Sequence, residues 1–189
     1  EHFDRADDPR AATAYLGAGE ALVSQYRFPA ALALVDRGLA LATEQPTRFS
    51  LTMARGRVLS ELGRSEDAID SCRSALAAAA TPTERVRAML ALASAMRLND
   101  RIAEGMALLD DAEPIAVEAG LEVELARLHH LRGNLLFPLG RDVECLRSHE
   151  RALLHARTSK SLEAEAAALG GIGDGHYTMG EGEVCGVAV

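Results

Sequence analysis

The sequence predicts an all-α chain of antiparallel helical hairpins, and three observations carry that expectation. Hydrophobic residues make up 48% of the 189, yet aromatics are only 4% and Trp is absent. Ala and Leu supply the bulk instead, which suits helices packed with close backbones. There are no period-two runs of Val, Ile and Thr and only 6 Pro, so a sheet is not expected. The third observation is a repeat in residue size along the chain.

From Gly56, the steps +3, +7, +12 and +19 land on Leu59, Gly63, Ala68 and Ala75. From Gly133 the same steps reach Leu136, Gly140, Cys145 and Ala152. From Gly19 they reach Leu22, Tyr26, Ala31 and Gly38, and from Ala93 they reach Met96, Asp100, Gly105 and Ala112. A fifth start at Gly173 gives His176, Gly180 and Cys185. The anchors are spaced by 37, 37, 40 and 40 residues. A small residue in mid-helix lets a second helix approach closely. Gly63 and Gly140 fall where a first helix ends and a positive φ is needed. Ala68 and Ala75, seven apart, share one face of the second helix. Repeat three departs most, at Ala93, Asp100 and Gly105.

Taken in order, the helices are expected near 9–25, 28–43, 48–62, 65–79, 83–98, 101–118, 122–138, 142–157 and 161–179. Asp8-Pro9 is a start signal, an acidic cap with Pro in the first turn. Pro82, Thr83 and Glu84 mark another start, and Gly120 marks a stop. Pro138 should kink or end its helix. The turns at Leu62-Gly63-Arg64 and Leu139-Gly140-Arg141 are short, so neighbouring helices run antiparallel. Residues 1–10 read as the remnant of a preceding module or linker, 11–180 as the array, and 181–189 as an irregular tail. Glu181 to Val189 has no helical period, so repeat five would lack its second helix.

The pattern of a small residue, a bulky one, a turn Gly and two further small residues resembles the tetratricopeptide repeat (TPR) over residues 11–180. Repeats two and four match best, and the spacing exceeds the usual 34. The resemblance implies a right-handed α-solenoid of about four and a half repeats and binding of protein or peptide in a concave groove; a cytoplasmic location is the default expectation, since the opening residues are polar and no run is long and apolar enough to span a bilayer. Glu1-His2-Phe3-Asp4-Arg5-Ala6-Asp7-Asp8-Pro9 is similar to the element joining an AAA-type ATPase module to its repeats. His129-His130-Leu131-Arg132-Gly133-Asn134 and Ala168 to Asp174 look like repeats of bacterial adenylate-cyclase-like regulators. That narrower resemblance implies the C-terminal repeat region of a signalling protein whose catalytic modules lie elsewhere.

Net charge is −8 with both signs interspersed, and neither a basic face nor stacking aromatics are evident, so nucleic acid is not an expected partner. No run approaches the roughly 20 apolar residues that span a bilayer, and the polar opening residues do not resemble a signal peptide. Cys72, Cys145 and Cys185 are odd in number and far apart, which suggests small packing residues rather than disulfides or zinc ligands. Gly170 to Gly175 follows a helical run rather than a strand, so close helix packing is expected there instead of a phosphate loop. His129 and His130 point about 100° apart on a helix and cannot readily share one metal. His149 falls at a buried packing position. No catalytic constellation, metal site or cofactor is expected.

The groove carries the functional expectation. Residues at −6, −3, +1 and +4 from each anchor share one face of the first helix. They are Thr13, Leu16, Glu20 and Val23; Ser50, Met53, Arg57 and Ser60; Arg87, Leu90, Ser94 and Arg97; Arg127, His130, Asn134 and Phe137; and Ala167, Gly170, Asp174 and Tyr177. Arg57, Arg87, Arg97 and Arg127 with His130 and Asn134 therefore gather on the inner face, where arginines would grip carboxylates bidentately. Asp174 and Tyr177 complete the candidate set. The competing readings are a solvated polar face, a sensory fragment of a nucleotide-cyclase or ATPase-linked enzyme, and a self-associating homodimer.

Overall fold

In the computed structural model, residues 10–185 are described, without the side chains of residue 178 and residues 181–185. Among them lie nine α-helices and no strand: α1 Ala11–Val23, α2 Phe28–Leu41, α3 Gln45–Glu61, α4 Ser65–Ala78, α5 Pro82–Arg97, α6 Ile102–Glu118, α7 Glu122–Leu136, α8 Asp142–Thr158 and α9 Leu162–Cys185. The chain divides into two units at Arg101/Ile102. In the first, each helix packs on the next, and α1 meets α3 as α3 meets α5. In the second, α6 to α9 pack in succession and α7 also meets α9. Every odd-numbered helix named here therefore touches the next odd-numbered one within its unit, the mark of stacked hairpins.

The turns follow from residue type. Tyr26, Gly63, Asp100 and Gly140 occupy one offset of the ruler, and all four have positive φ, between 55° and 70°. The residue after each, Arg27, Arg64, Arg101 or Arg141, donates its backbone N–H to a carbonyl five residues back, at Leu22, Leu59, Met96 and Leu136. This closing bond satisfies carbonyls left over at a helix end. Glycine suits the position because it has no Cβ to clash there. Tyr26 and Asp100 show that the surrounding packing enforces it without glycine.

In two of these turns the same arginine also pairs with the first turn of the following helix. Arg64 and Arg141 are the N-cap residues of α4 and α8 and make no capping hydrogen bond. Their guanidinium groups instead reach Asp67 at 2.7 Å and Glu144 at 2.6 Å, in the first turn. Both acids also favour the positive end of the helix dipole. By contrast, α5 starts with a full capping box, between Thr81 and Glu84. At the other end of α7, Pro138 does stop the helix: Phe137–Leu139 form a single 3-10 turn closed by Gly140 at φ 65°.

One boundary differs from expectation. The helix does not stop near 179, and α9 continues to Cys185 into the stretch expected to be irregular. Extending an existing helix adds a backbone bond per residue with no new nucleus, which offsets the weak propensity of Gly180 and Gly182. Residues 1–9, which carry the linker-like resemblance and the Asp8-Pro9 start signal, and residues 186–189 lie outside the described residues.

The anchors act as slots. A Cβ placed on Gly19 would lie 2.9 Å from Val35 Cγ2, and one on Gly56 would lie 2.8 Å from Cys72 Sγ. At Gly133 it would strike the His149 ring, and so would one at Gly171. In each of these hairpins, the residue sixteen places after the anchor fills the slot. Around these contacts the core is aliphatic, with Leu51, Leu59, Ile69, Leu109, Leu128 and Leu135 fully buried.

Candidate functional site

The first unit holds an open groove of about 670 Å³ between α3 and α5, with Glu20 of α1 at one side. Eight of its lining residues are those the inner-face ruler selects: Glu20, Ser50, Met53, Arg57, Ser60, Arg87, Ser94 and Arg97. The α3–α5 packing brings Arg57, Arg87 and Arg97 to one cavity, over a floor that includes Phe49, Ala54, Gly56 and Cys72. Leu90, assigned to the same face, is buried and does not line the groove.

Three arginines stand against two glutamates, Glu20 and Glu61, in this lining. Arg57 is exposed and makes no ion pair or hydrogen bond among the described residues. Arg97 is half-buried, and its Nε is enclosed with no hydrogen-bond partner. A buried donor left unsatisfied costs about 1–3 kcal/mol. Arg97 also sits in the last turn of α5, where a cation complements the helix dipole. Cys72, at the floor, is held as a thiol: burial pushes its pKa up to about 11.

The second unit places its polar groups differently. Arg127, the fourth arginine, lies 3.6 Å from Glu163 of α9, an exposed ion pair of small energetic weight. His130 and Asn134 are brought together, Asn134 Nδ2 lying 3.1 Å from His130 Nε2, and the His130 ring leans on His149 at 5.2 Å between centroids. Both are half-buried in the hairpin. Asp174 and Tyr177 are exposed on α9. Asp174 acts electrostatically on His149 and on Cys145, whose pKa is raised first by burial and then by Asp142 and Asp174.

Sequence reading missed the most connected group in this unit. Glu113 of α6 accepts hydrogen bonds from Arg132 at 2.9 Å and Arg151 at 2.7 Å, and His129 Nε2 lies 3.6 Å away. Burial alone would raise the Glu113 carboxyl, but Arg132 and Arg151, joined by His129 whenever it holds a proton, prevail and keep it below its usual range. Arg132 also reaches Asp110 at 2.9 Å. The first unit has a smaller counterpart at the same offsets, where Arg55 donates to Asp36 at 2.8 Å and to Ser71 at 2.7 Å. A carboxylate nineteen residues before an arginine in both units was the available signal. Among the described residues, no group of His, Cys, Asp and Glu has the arrangement to hold a metal ion.

No protein-family model matches this sequence. No curated protein matches it either. Solved structures do. A thermophilic TPR protein from Thermus thermophilus superposes with a TM-score of 0.69 over 90% of this chain and 84% of its own, at 23% identity. The fold is tetratricopeptide-like. A putative kinesin light chain from Podosopora anserina with nearly identical TPR-like repeats gives a TM-score of 0.68, covering 92% of this chain and 89% of its own at 17% identity. Aspartyl phosphate phosphatase F from Bacillus subtilis gives 0.73 at 11% identity, over 83% of this chain, which spans 43% of the phosphatase. At these identities the likeness concerns the TPR-like fold. No helix among the described residues is long and apolar enough to cross a membrane.

Proposed function

We propose that this chain is a non-catalytic protein-interaction array whose first unit binds an extended acidic segment of a partner protein in the α3–α5 groove. The observation that carries the reading is the convergence of Arg57, Arg87 and Arg97 on one cleft with an apolar floor, Arg57 being exposed and unpaired among the described residues. Stacked hairpins commonly bind along such surfaces. Carboxylates would meet the guanidinium groups bidentately, and the Phe49 and Met53 side chains would take an apolar residue of the same segment. Arg127, His130 and Asn134 fall outside this proposal, because each is engaged within the second unit.

A random library of extended peptides, panned at two salt concentrations, tests the proposal. Wild type should enrich Asp- and Glu-rich peptides, less so at high salt. Arg57→Ala/Arg87→Ala/Arg97→Ala should lose that enrichment while remaining equally helical, and Arg127→Ala should keep it. Equal enrichment by the triple variant, or enrichment of neutral peptides, would overturn the reading.

A further inference from the structure

Four of the chain's six histidines meet at one helix pair. His129 and His130 lie on α7, and His149 and His155 lie on α8. The rings form two cross-helix pairs. His129 stacks on His155 with centroids 5.4 Å apart and planes 18° from parallel, and His130 tilts against His149. His129 is completely buried, and neither ring nitrogen has a hydrogen-bond partner. His149 is held between the Gly133 and Gly171 backbones, where it has no room to turn, and its Nδ1 is likewise enclosed without a partner.

We propose that the α7–α8 interface is an acid-released latch: two cross-helix histidine pairs close it, and protonation of His129 and His149 opens it. The first unit has no histidine among residues 10–101, so it lacks the device.

The charged groups around each ring set the response. His129 faces Glu113 from α6, Arg151 and His155 from α8, and Arg132 of its own helix. Burial and the arginines oppose a proton there more than Glu113 favours one, and His129 is pushed down to about 4. His149 faces His130 from α7 and Asp174 from α9, and burial with the His130 charge likewise brings it to about 4. His155 already has a carboxylate partner, Glu122, at 2.7 Å.

Both folded values lie below the ordinary 6.5, so the contribution is fully present above pH 6.5 and is lost as pH falls toward 4. Between pH 7 and 4.5 each histidine shifts the closed-to-open ratio by roughly fiftyfold or more. Glu113, also held low, begins to give up its contribution only as pH falls through the ordinary carboxylate value of 4.5. The upper part of the window therefore belongs to the histidines.

The test is an NMR titration of the full chain from pH 7.5 to 4, following imidazole and backbone amide signals together. The latch predicts that the α7–α8 amides are lost while those of α3–α4 persist, and that His129 and His149 take up protons only with that loss. His149→Cys, which places there the residue that fills the α3–α4 slot, should move the loss to lower pH by about half a unit or more. Loss of both hairpins at one pH, or histidine titration near 6.5 with α7–α8 intact, would overturn the proposal. So would an unmoved midpoint in a folded His149→Cys. Should that variant not fold, the wild-type ring titration still decides.

Discussion

The α3–α4 and α7–α8 hairpins share a frame and use it for opposite ends. Each has an anchor glycine, a closing turn glycine, an arginine paired with a first-turn carboxylate of the second helix, and an arginine before the anchor reaching back to the preceding helix. In α3–α4 the slot is filled by Cys72, and the residue one step past the anchor, Arg57, opens onto a groove. In α7–α8 the slot is filled by an imidazole. One step past that anchor stands Asn134, which turns to His130, while Arg127 pairs with Glu163 and Arg132 reaches inward to Glu113. One repeat frame thus presents either an open groove lined by arginines or a histidine-lined interior. What decides is the residue opposite the anchor and the burial of the back-reaching ion pair.

The largest test of this contrast is at the slots. Gly133→Ala should destabilise the second unit by about 1–3 kcal/mol, because the His149 ring is pinned from both sides and cannot yield. Combining it with His149→Ala should recover much of that loss in a thermal-melt double-mutant cycle. Gly56→Ala crowds one atom, the Sγ of Cys72, and should cost less. Equal costs in the two hairpins would break the comparison.

The back-reaching ion pairs come next. Glu113→Gln should cost about 1–3 kcal/mol, since it weakens hydrogen bonds to a mostly buried Arg132. Asp36→Asn, beside a more exposed Arg55, should cost under about 1 kcal/mol. Urea unfolding read separately for each unit distinguishes them.

Gly173 sharpens the point from the opposite side. It continues the anchor series on α9, but a Cβ there would meet nothing within 4 Å. Gly173→Ala should therefore stabilise by up to about 1 kcal/mol, through helix propensity alone. A loss of stability would mean that the slot is filled.

The sequence and the structure agree where local geometry controls the outcome. The repeat spacing found the helix-ending positions Gly63 and Gly140 because a positive φ favours glycine, and the same offset also has positive φ at Asp100, a residue type that tolerates it, and at Tyr26, where residue type gives no such signal. It placed Arg57, Arg87 and Arg97 on one face because residues three and four apart share a face, and the α3–α5 contact then supplied the cavity. It failed on interactions set by hairpin packing. Leu90 lies on the selected face yet is covered. The Glu113 network joins three helices, so no single-helix period reveals it. Cys185 ends a helix that composition alone argued against, since chain extension is cooperative and propensity is a weak guide.

The groove account is tested most directly by a backbone amide NMR titration of the full chain with an acidic peptide recovered from the panning. It predicts chemical-shift changes concentrated in α3 and α5, around Arg57, Arg87 and Arg97, that vanish in the triple alanine variant. Changes centred on α7 around Arg127, His130 and Asn134, or persisting in that variant, would contradict it.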